Sequence, residues 1–173
     1  SRIVSGILRT ADGLIYMATM GGGLAMWDGV ELHTYGRAEG LPSLFVTCLA
    51  EDEEGYLLLG TALHGLHRLR GERIEPVLSV GVLETDRIHA IQRGTDGRLW
   101  VGTASGLYMD PGTGTFQLLG SDTRAVNAVV PTADTVWMAT DSGLYVVPLR
   151  ATSLVPQPHR VMPAVKAIAL ARD

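Results

Sequence analysis

Asp96-Gly97-Arg98-Leu99-Trp100-Val101-Gly102-Thr103, followed after two residues by Gly106-Leu107-Tyr108, is the stretch on which the fold turns. An acidic residue and a glycine form a tight turn, because glycine takes positive φ without steric penalty. A short apolar run with a large aromatic follows, then threonine, a brief loop, and a Gly-Leu pair that starts a second apolar run. The phrase recurs. Thr19, Thr61 and Thr103 are spaced by 42 residues, and Thr140 follows 37 later; the Gly-Leu pairs are Gly23-Leu24, Gly65-Leu66, Gly106-Leu107 and Gly143-Leu144. A period of about 40 residues marks an array of like units.

Each unit holds four short apolar runs. The first runs are Ile3 to Leu8, Phe45 to Ala50, Ile88 to Gln92 and Val126 to Val130. The second follow Asp12-Gly13, Glu54-Gly55, Asp96-Gly97 and, in the fourth unit, Asp134-Thr135, and carry Tyr16, Leu58, Trp100 and Trp137 at matching places. The third begin at Gly-Leu, and the fourth are looser edges such as Glu31 to Tyr35 and Thr115 to Leu119. Glycine or proline interrupts every run, and no window repeats apolar residues at helical spacing. Four antiparallel strands per unit predict an all-β chain of β-propeller blades. One such sheet cannot bury both faces, but stacked sheets can, and the aromatic of the second strand suits the layer between them. The four threonines read as structural: a hydroxyl at a strand end satisfies backbone groups. The expected blades span about 3–43, 44–86, 87–123 and 124–163, with the first strand of a fifth at 164–173, so the chain is expected to be part of a larger propeller. Open blade faces and strand edges predict self-association.

Composition narrows the function classes. The 173 residues are 46% hydrophobic and 18% charged, with net charge −4. Mean hydropathy is +0.19 and the pI near 5.7. An acidic chain lacks the basic face that nucleic acid requires. No run approaches the roughly 20 apolar residues of a spanning helix. Cys48, the single cysteine, forms no intrachain disulfide and reads as a small buried apolar residue.

The joint pattern of Gly22-Gly23-Leu24-Ala25-Met26-Trp27-Asp28-Gly29, Tyr35 and Gly40-Leu41-Pro42-Ser43, with Gly60-Thr61 and the stretch quoted first, resembles the two-component regulator propeller repeat. Leu57-Leu58-Leu59, where an aromatic is usual, and Asp134-Thr135 depart from it. The resemblance implies a non-enzymatic extracytoplasmic or periplasmic sensor module of a bacterial regulator, often a hybrid histidine kinase. Two alternatives remain open: a propeller lyase similar to streptogramin-inactivating lyases, with His64 and Asp141 or Glu39 on axial loops, and a protein-interaction scaffold.

Other motifs read blandly. His64 and His67 lack a third ligand nearby and read as loop histidines in solvent, not metal ligands. Glu51-Asp52-Glu53-Glu54 reads as a solvated turn. Gly21-Gly22-Gly23 lacks the Lys and helix of a phosphate loop. No cofactor and no metal are expected. A small-molecule or glycan ligand would meet the loops joining second to third strands and one unit to the next. That selects Met20, Arg37, His64, Arg87, Ser105, Arg124 and Asp141, with Glu39, Asp86 and Asp122 beside them.

Overall fold

The computed structural model describes residues 3–77, 83, 86–119, 124–150 and the backbone of 157–160. The expected fifth-unit strand at 164–173 lies outside the described residues, as does Asp122. Sixteen strands are described. They form four antiparallel sheets of four, each in chain order. The first sheet is β1 (Ile3–Arg9), β2 (Ile15–Met20), β3 (Gly23–Trp27) and β4 (Leu32–Tyr35). The second is β5 (Val46–Glu51), β6 (Leu57–Thr61), β7 (Leu66–Arg70) and β8 (Arg73–Pro76). The third is β9 (Ile88–Arg93), β10 (Leu99–Thr103), β11 (Gly106–Asp110) and β12 (Gln117–Leu118). The fourth is β13 (Val126–Pro131), β14 (Thr135–Thr140), β15 (Gly143–Pro148) and β16 (Gln157–Arg160). These are propeller blades, and the chain divides into two compact units, Ser1–Ile88 and His89–Asp173.

Each unit has its own core. In the first, Tyr16, Ala18 and Leu24 of the first sheet pack on Val46, Leu57, Leu59, Leu69 and Ile74 of the second. In the second, Trp100, Leu107 and Met109 pack on Val126, Val129, Val136, Met138 and Val147. The aromatic after the turn glycine thus lies in the layer between sheets, and Trp100 is fully buried. A fully buried side chain of this kind contributes roughly 1.5–3 kcal/mol.

The four threonines do one job four times. Thr19 Oγ1 donates to Gly23 O (2.7 Å) and accepts from Gly22 N–H (3.0 Å). Thr61 Oγ1 donates to Gly65 O (2.9 Å) and accepts from His64 N–H (3.0 Å). Thr103 donates to Gly106 O (3.1 Å) and accepts from Ser105 N–H (3.0 Å). Thr140 donates to Gly143 O (2.9 Å) and accepts from Ser142 N–H (3.1 Å). All four threonines are buried, and each hydroxyl satisfies two backbone groups. Gly23 and Gly65 hold φ of 77° and 69°, and a Cβ on Gly23 would strike the Tyr35 carbonyl.

The residue before each threonine is Ala18, Gly60, Gly102 or Ala139. A Cβ on Gly102 would lie 2.8 Å from Val126 O and 2.9 Å from Val126 Cγ1; one on Gly60 would lie 2.5 Å from Cys48 Sγ and 2.7 Å from Ile88 Cγ2. Small residues here let neighbouring strands approach closely. Cys48 is half-buried, and burial pushes its thiol up to about 12.

The turns are held by side chains. Asp12 Oδ1 accepts from Thr10 Oγ1 (2.5 Å), and Asp96 Oδ1 accepts from Arg98 N–H (3.1 Å). Where the fourth sheet has Asp134-Thr135 in place of Asp-Gly, Thr132 takes over. Its Oγ1 donates to Thr135 O (2.8 Å) and accepts from Thr135 N–H (3.1 Å), and Arg150 pairs with Asp134 at 2.6 Å. The run at Glu51 to Glu54 corrects its sequence reading as a solvated turn. Asp52 is buried, its Oδ1 accepting from Glu54 and Tyr56 N–H at 3.0 and 2.9 Å while Arg68 approaches Oδ2 at 2.9 Å. The turn is short enough that one carboxylate must fold inward to satisfy its amides.

Replacing Thr61 by the near-isosteric Val strands the His64 loop amide and leaves the Gly65 carbonyl only its bond from Thr61 N–H (3.1 Å). We expect a loss of about 1–3 kcal/mol in urea unfolding with an unchanged m-value; a neutral result would mean that water replaces the hydroxyl.

Candidate functional site

The β2–β3 type hairpin loops and the connections leading into each sheet's first strand lie at the same end of their sheets, because the strands alternate in direction. In the first unit these segments are stitched together. Gly21 and Gly23 N–H both donate to Leu44 O (2.9 and 3.0 Å), joining the loop after Met20 to the 36–44 connection, and Met20 bridges Phe45. Arg37, exposed, donates from Nη1 to Pro42 O (3.3 Å) within that connection. Glu39 closes the same turn, accepting from Gly36 N–H at 2.6 Å. Gly65 N–H donates to Asp86 O (3.1 Å) and Arg87 Nε to Ala62 O (3.3 Å), so Arg87 and the loop of His64 adjoin. The His64 side chain is exposed.

His67 corrects its sequence reading as a solvated loop histidine. It sits in β7 opposite Leu59 and is buried, and its Nδ1 has no hydrogen-bond partner among the described residues. Burial holds the imidazolium below its ordinary range, outweighing the backbone hydrogen bond at Gly65 that favours it.

In the second unit, Ser105 N–H is tied to Thr103, and the Arg124 guanidinium lies 4.1 Å over the Tyr145 ring, a cation–π contact that fixes it beside the entry to β13. Asp141 belongs to a network. Asn127 Nδ2 donates to Asp141 Oδ1 (2.8 Å), and Asn127 Oδ1 lies 3.0 Å from His89 Nδ1. Chemistry orders this chain. An ionised carboxylate only accepts, so it takes the amide NH₂, and the amide oxygen turns to the imidazole. Neutral His89 then carries its proton on Nδ1, leaving Nε2 as an acceptor.

Sequence reading selected Asp141 but not His89 or Asn127, which it placed inside apolar first strands. A signal existed. Val4, Val46 and Ile88 each precede their threonine by 15 residues, and Val126 precedes Thr140 by 14. The next residues, Ser5, Thr47, His89 and Asn127, are all polar. Ser5, Thr47 and Asn127 fall at register shifts in their ladders, and a bulge re-aims the side chain it carries. Ser5 Oγ donates to Val46 O (2.5 Å) and Thr47 Oγ1 to Ile88 O (2.6 Å). His89 instead meets the side chain of Asn127.

At the opposite end of the first unit, Thr10, Asp12, Tyr16, Gly55, Tyr56 and Leu69 line a groove of about 200 Å³, smaller than the roughly 300–1,000 Å³ of ligand pockets. Among the described residues no three His, Cys, Asp or Glu side chains converge as metal ligands, and no helix is long and apolar enough to cross a membrane.

The fold and its repeated clamp define a β-propeller module. Residues 40–62 and 83–105 match the two-component regulator propeller model. No curated protein matches the sequence. Among solved structures, the chain is similar to the extracellular domains of two hybrid two component systems of B. thetaiotaomicron. Both have a TM-score of 0.76, at 16% and 19% identity, covering 92% and 96% of this chain and 24% of each of theirs. It is also similar to virginiamycin B lyase from Staphylococcus aureus, with a TM-score of 0.69 and 11% identity over 90% of this chain and 55% of the lyase. The chain therefore spans about a quarter of the length of the first two.

A folded-state pKa held below the unfolded 6.5 means that His67 supports the fold fully above about pH 6.5 and loses that support as pH falls. His67→Leu is expected to lose less urea stability than the parent between pH 7 and pH 5. Parallel losses would show that His67 does not set this dependence.

Proposed function

We propose that this chain is a non-enzymatic sensor module of a bacterial signal-transduction protein, working in an extracytoplasmic compartment and binding a small polar molecule or glycan. The observation that carries this reading is the match of two segments, 40–62 and 83–105, to the two-component regulator propeller. The ligand contacts fall at the loop end of the second unit, where Asp141 is exposed and His89 and Asn127 half-buried. Two acceptors, His89 Nε2 and the Asp141 carboxylate, suit a ligand rich in hydroxyl donors. Met20, Arg37, His64 and Arg87 at the corresponding end of the first unit, and Ser105 and Arg124 in the second, are secondary candidates.

A second reading, a lyase, draws on one observation: a histidine oriented through an amide by a carboxylate resembles the base-and-orienter pairs of nucleophilic and acid–base catalysis. In that reading His89 replaces His64, because Glu39 is spent on its own turn and His64 has no hydrogen bond to an acid among the described residues.

Melting curves of the chain against a panel of mono- and oligosaccharides, with mass spectrometry of each mixture, separate the two. We expect a saturable rise in melting temperature with one sugar class and no product. Asn127→Ala, which disconnects His89 from Asp141, is expected to weaken that binding about tenfold, the equivalent of one hydrogen bond. Product formation lost in His89→Ala would replace the sensor by the enzyme.

A further inference from the structure

Tyr16 joins two environments. Its ring belongs to the core between the first and second sheets, and the residue is 8% exposed. It also lines the groove of about 200 Å³ at the turn end of the first unit. Buried phenols usually find a hydrogen-bond partner, yet the Tyr16 hydroxyl has none among the described residues. Burial pushes its pKa up, and the charges of Tyr35 and Asp12 add to the rise, so at neutral pH the phenol keeps its proton and its hydroxyl end lies within reach of the Asp12 charge.

Asp12 is the second element of the groove. Its Oδ1 accepts from Thr10 Oγ1 (2.5 Å) and Leu14 N–H (3.4 Å), and the Thr10 bond holds the carboxyl below its ordinary range, so it is ionised at neutral pH. It makes no ion pair among the described residues. The nearby arginines are engaged elsewhere. Arg68 pairs with Asp52 at 2.9 Å, and Arg70 lies over the Tyr56 ring at 5.1 Å. Strand alternation sets both on the face of β7 opposite to that of Leu69. Arg9 extends along the turn to Gly13 without pairing with Asp12. Leu57 and Leu69, directly opposite one another in β6 and β7, supply an apolar floor. The far rim is two glycine turns, Gly55 and Gly71, each beside a glutamate, Glu54 and Glu72.

We propose that this groove binds a small aliphatic amine, its ammonium held between the Asp12 carboxylate and the Tyr16 oxygen and its methylenes on Leu57 and Leu69. An ammonium brings three donors and no acceptor, and the groove answers with acceptors. Its one charged lining group is a carboxylate that no cation of the chain neutralises. An anion would meet Asp12, Glu54 and Glu72 with the wrong sign, and a neutral alcohol would gain a hydrogen bond without the ionic attraction. The volume, roughly that of seven waters, admits a chain of a few carbons and excludes an oligosaccharide. Every lining residue lies within the first unit, so the site does not rest on the ligand site proposed at the loop end of the second.

NMR titration of the 173-residue chain with n-butylamine at pH 7 and constant ionic strength tests this, with 1-butanol and butyrate as the neutral and anionic chains of equal length. Saturable shifts at the Gly13, Gly55 and Gly71 amides are expected with the amine alone. Asp12→Asn, at an exposed position and still offering Thr10 an acceptor, is expected to weaken binding at least tenfold. Tyr16→Phe, which keeps the ring in the core, is expected to weaken it about tenfold, the equivalent of one hydrogen bond, with an unchanged circular dichroism spectrum. Asn127→Ala is expected to leave the titration as it is, which separates this site from the one proposed in the second unit. No saturable shift at these glycines, equal saturation by 1-butanol, or full affinity in Asp12→Asn would overturn the inference.

Discussion

Sheets stack only as closely as their facing residues permit, and in this chain that limit is set at the residue before each clamping threonine. Gly102 stands where any side chain would run into the Val126 backbone, and Gly60 stands against Cys48 and Ile88. Ala18 takes the corresponding place in the first sheet and is fully buried. Close approach requires that this small residue be held at a fixed depth. The threonine beside it does so, by tying the hairpin loop to its own strand with two hydrogen bonds from one buried hydroxyl. The aromatic two residues earlier then has a defined gap to fill, and Tyr16 and Trp100 fill it. Loop, clamp, small residue and aromatic are one device, which explains why they recur together.

What could be read from sequence was what acts within a single hairpin. The Thr and Gly-Leu phrase and the acidic-glycine turns identify themselves by spacing, since their partners lie within four residues. The structural role assigned to the threonines follows from the same locality. What acts between strands or sheets was hidden. Asp52 stands in a run of four acidic residues, and nothing in that run marks the one that turns inward to cap Glu54 and Tyr56 and meet Arg68 from β7. His67 looks polar in a polar-looking phrase, yet period-two alternation sets it in a strand interior opposite Leu59. His89 and Asn127 occupy runs that are otherwise apolar, and only alignment on the threonines shows that they hold the same position.

That shared position separates scaffold from site. A bulge turns Ser5, Thr47 and Asn127 out of the ladders of β1, β5 and β13, and His89 holds the matching position in β9. A short hydroxyl there, as in Ser5 and Thr47, reaches only a backbone carbonyl, Val46 O or Ile88 O, and its chemistry ends with that bond. Imidazole and carboxamide at the same place reach farther and meet each other instead of backbone. The amide NH₂ donates to Asp141 in the hairpin loop that Thr140 clamps.

This arrangement lets chemistry change without disturbing the fold. The bulge residue lies outside the close-approach device: it neither fills the layer between sheets nor closes the hairpin. Exchange of hydroxyl for imidazole or amide alters which groups face the loop end while the threonine, the small residue and the aromatic stay in place. The threonine still matters to the site, because Asp141 is the first residue after Thr140 and is positioned by the loop that its hydroxyl holds. A polar network built this way inherits its rigidity from the clamp and its specificity from the bulge. The two unlike side chains of the second unit, rather than the backbone-bound hydroxyls of the first, are therefore where the proposed ligand site is placed.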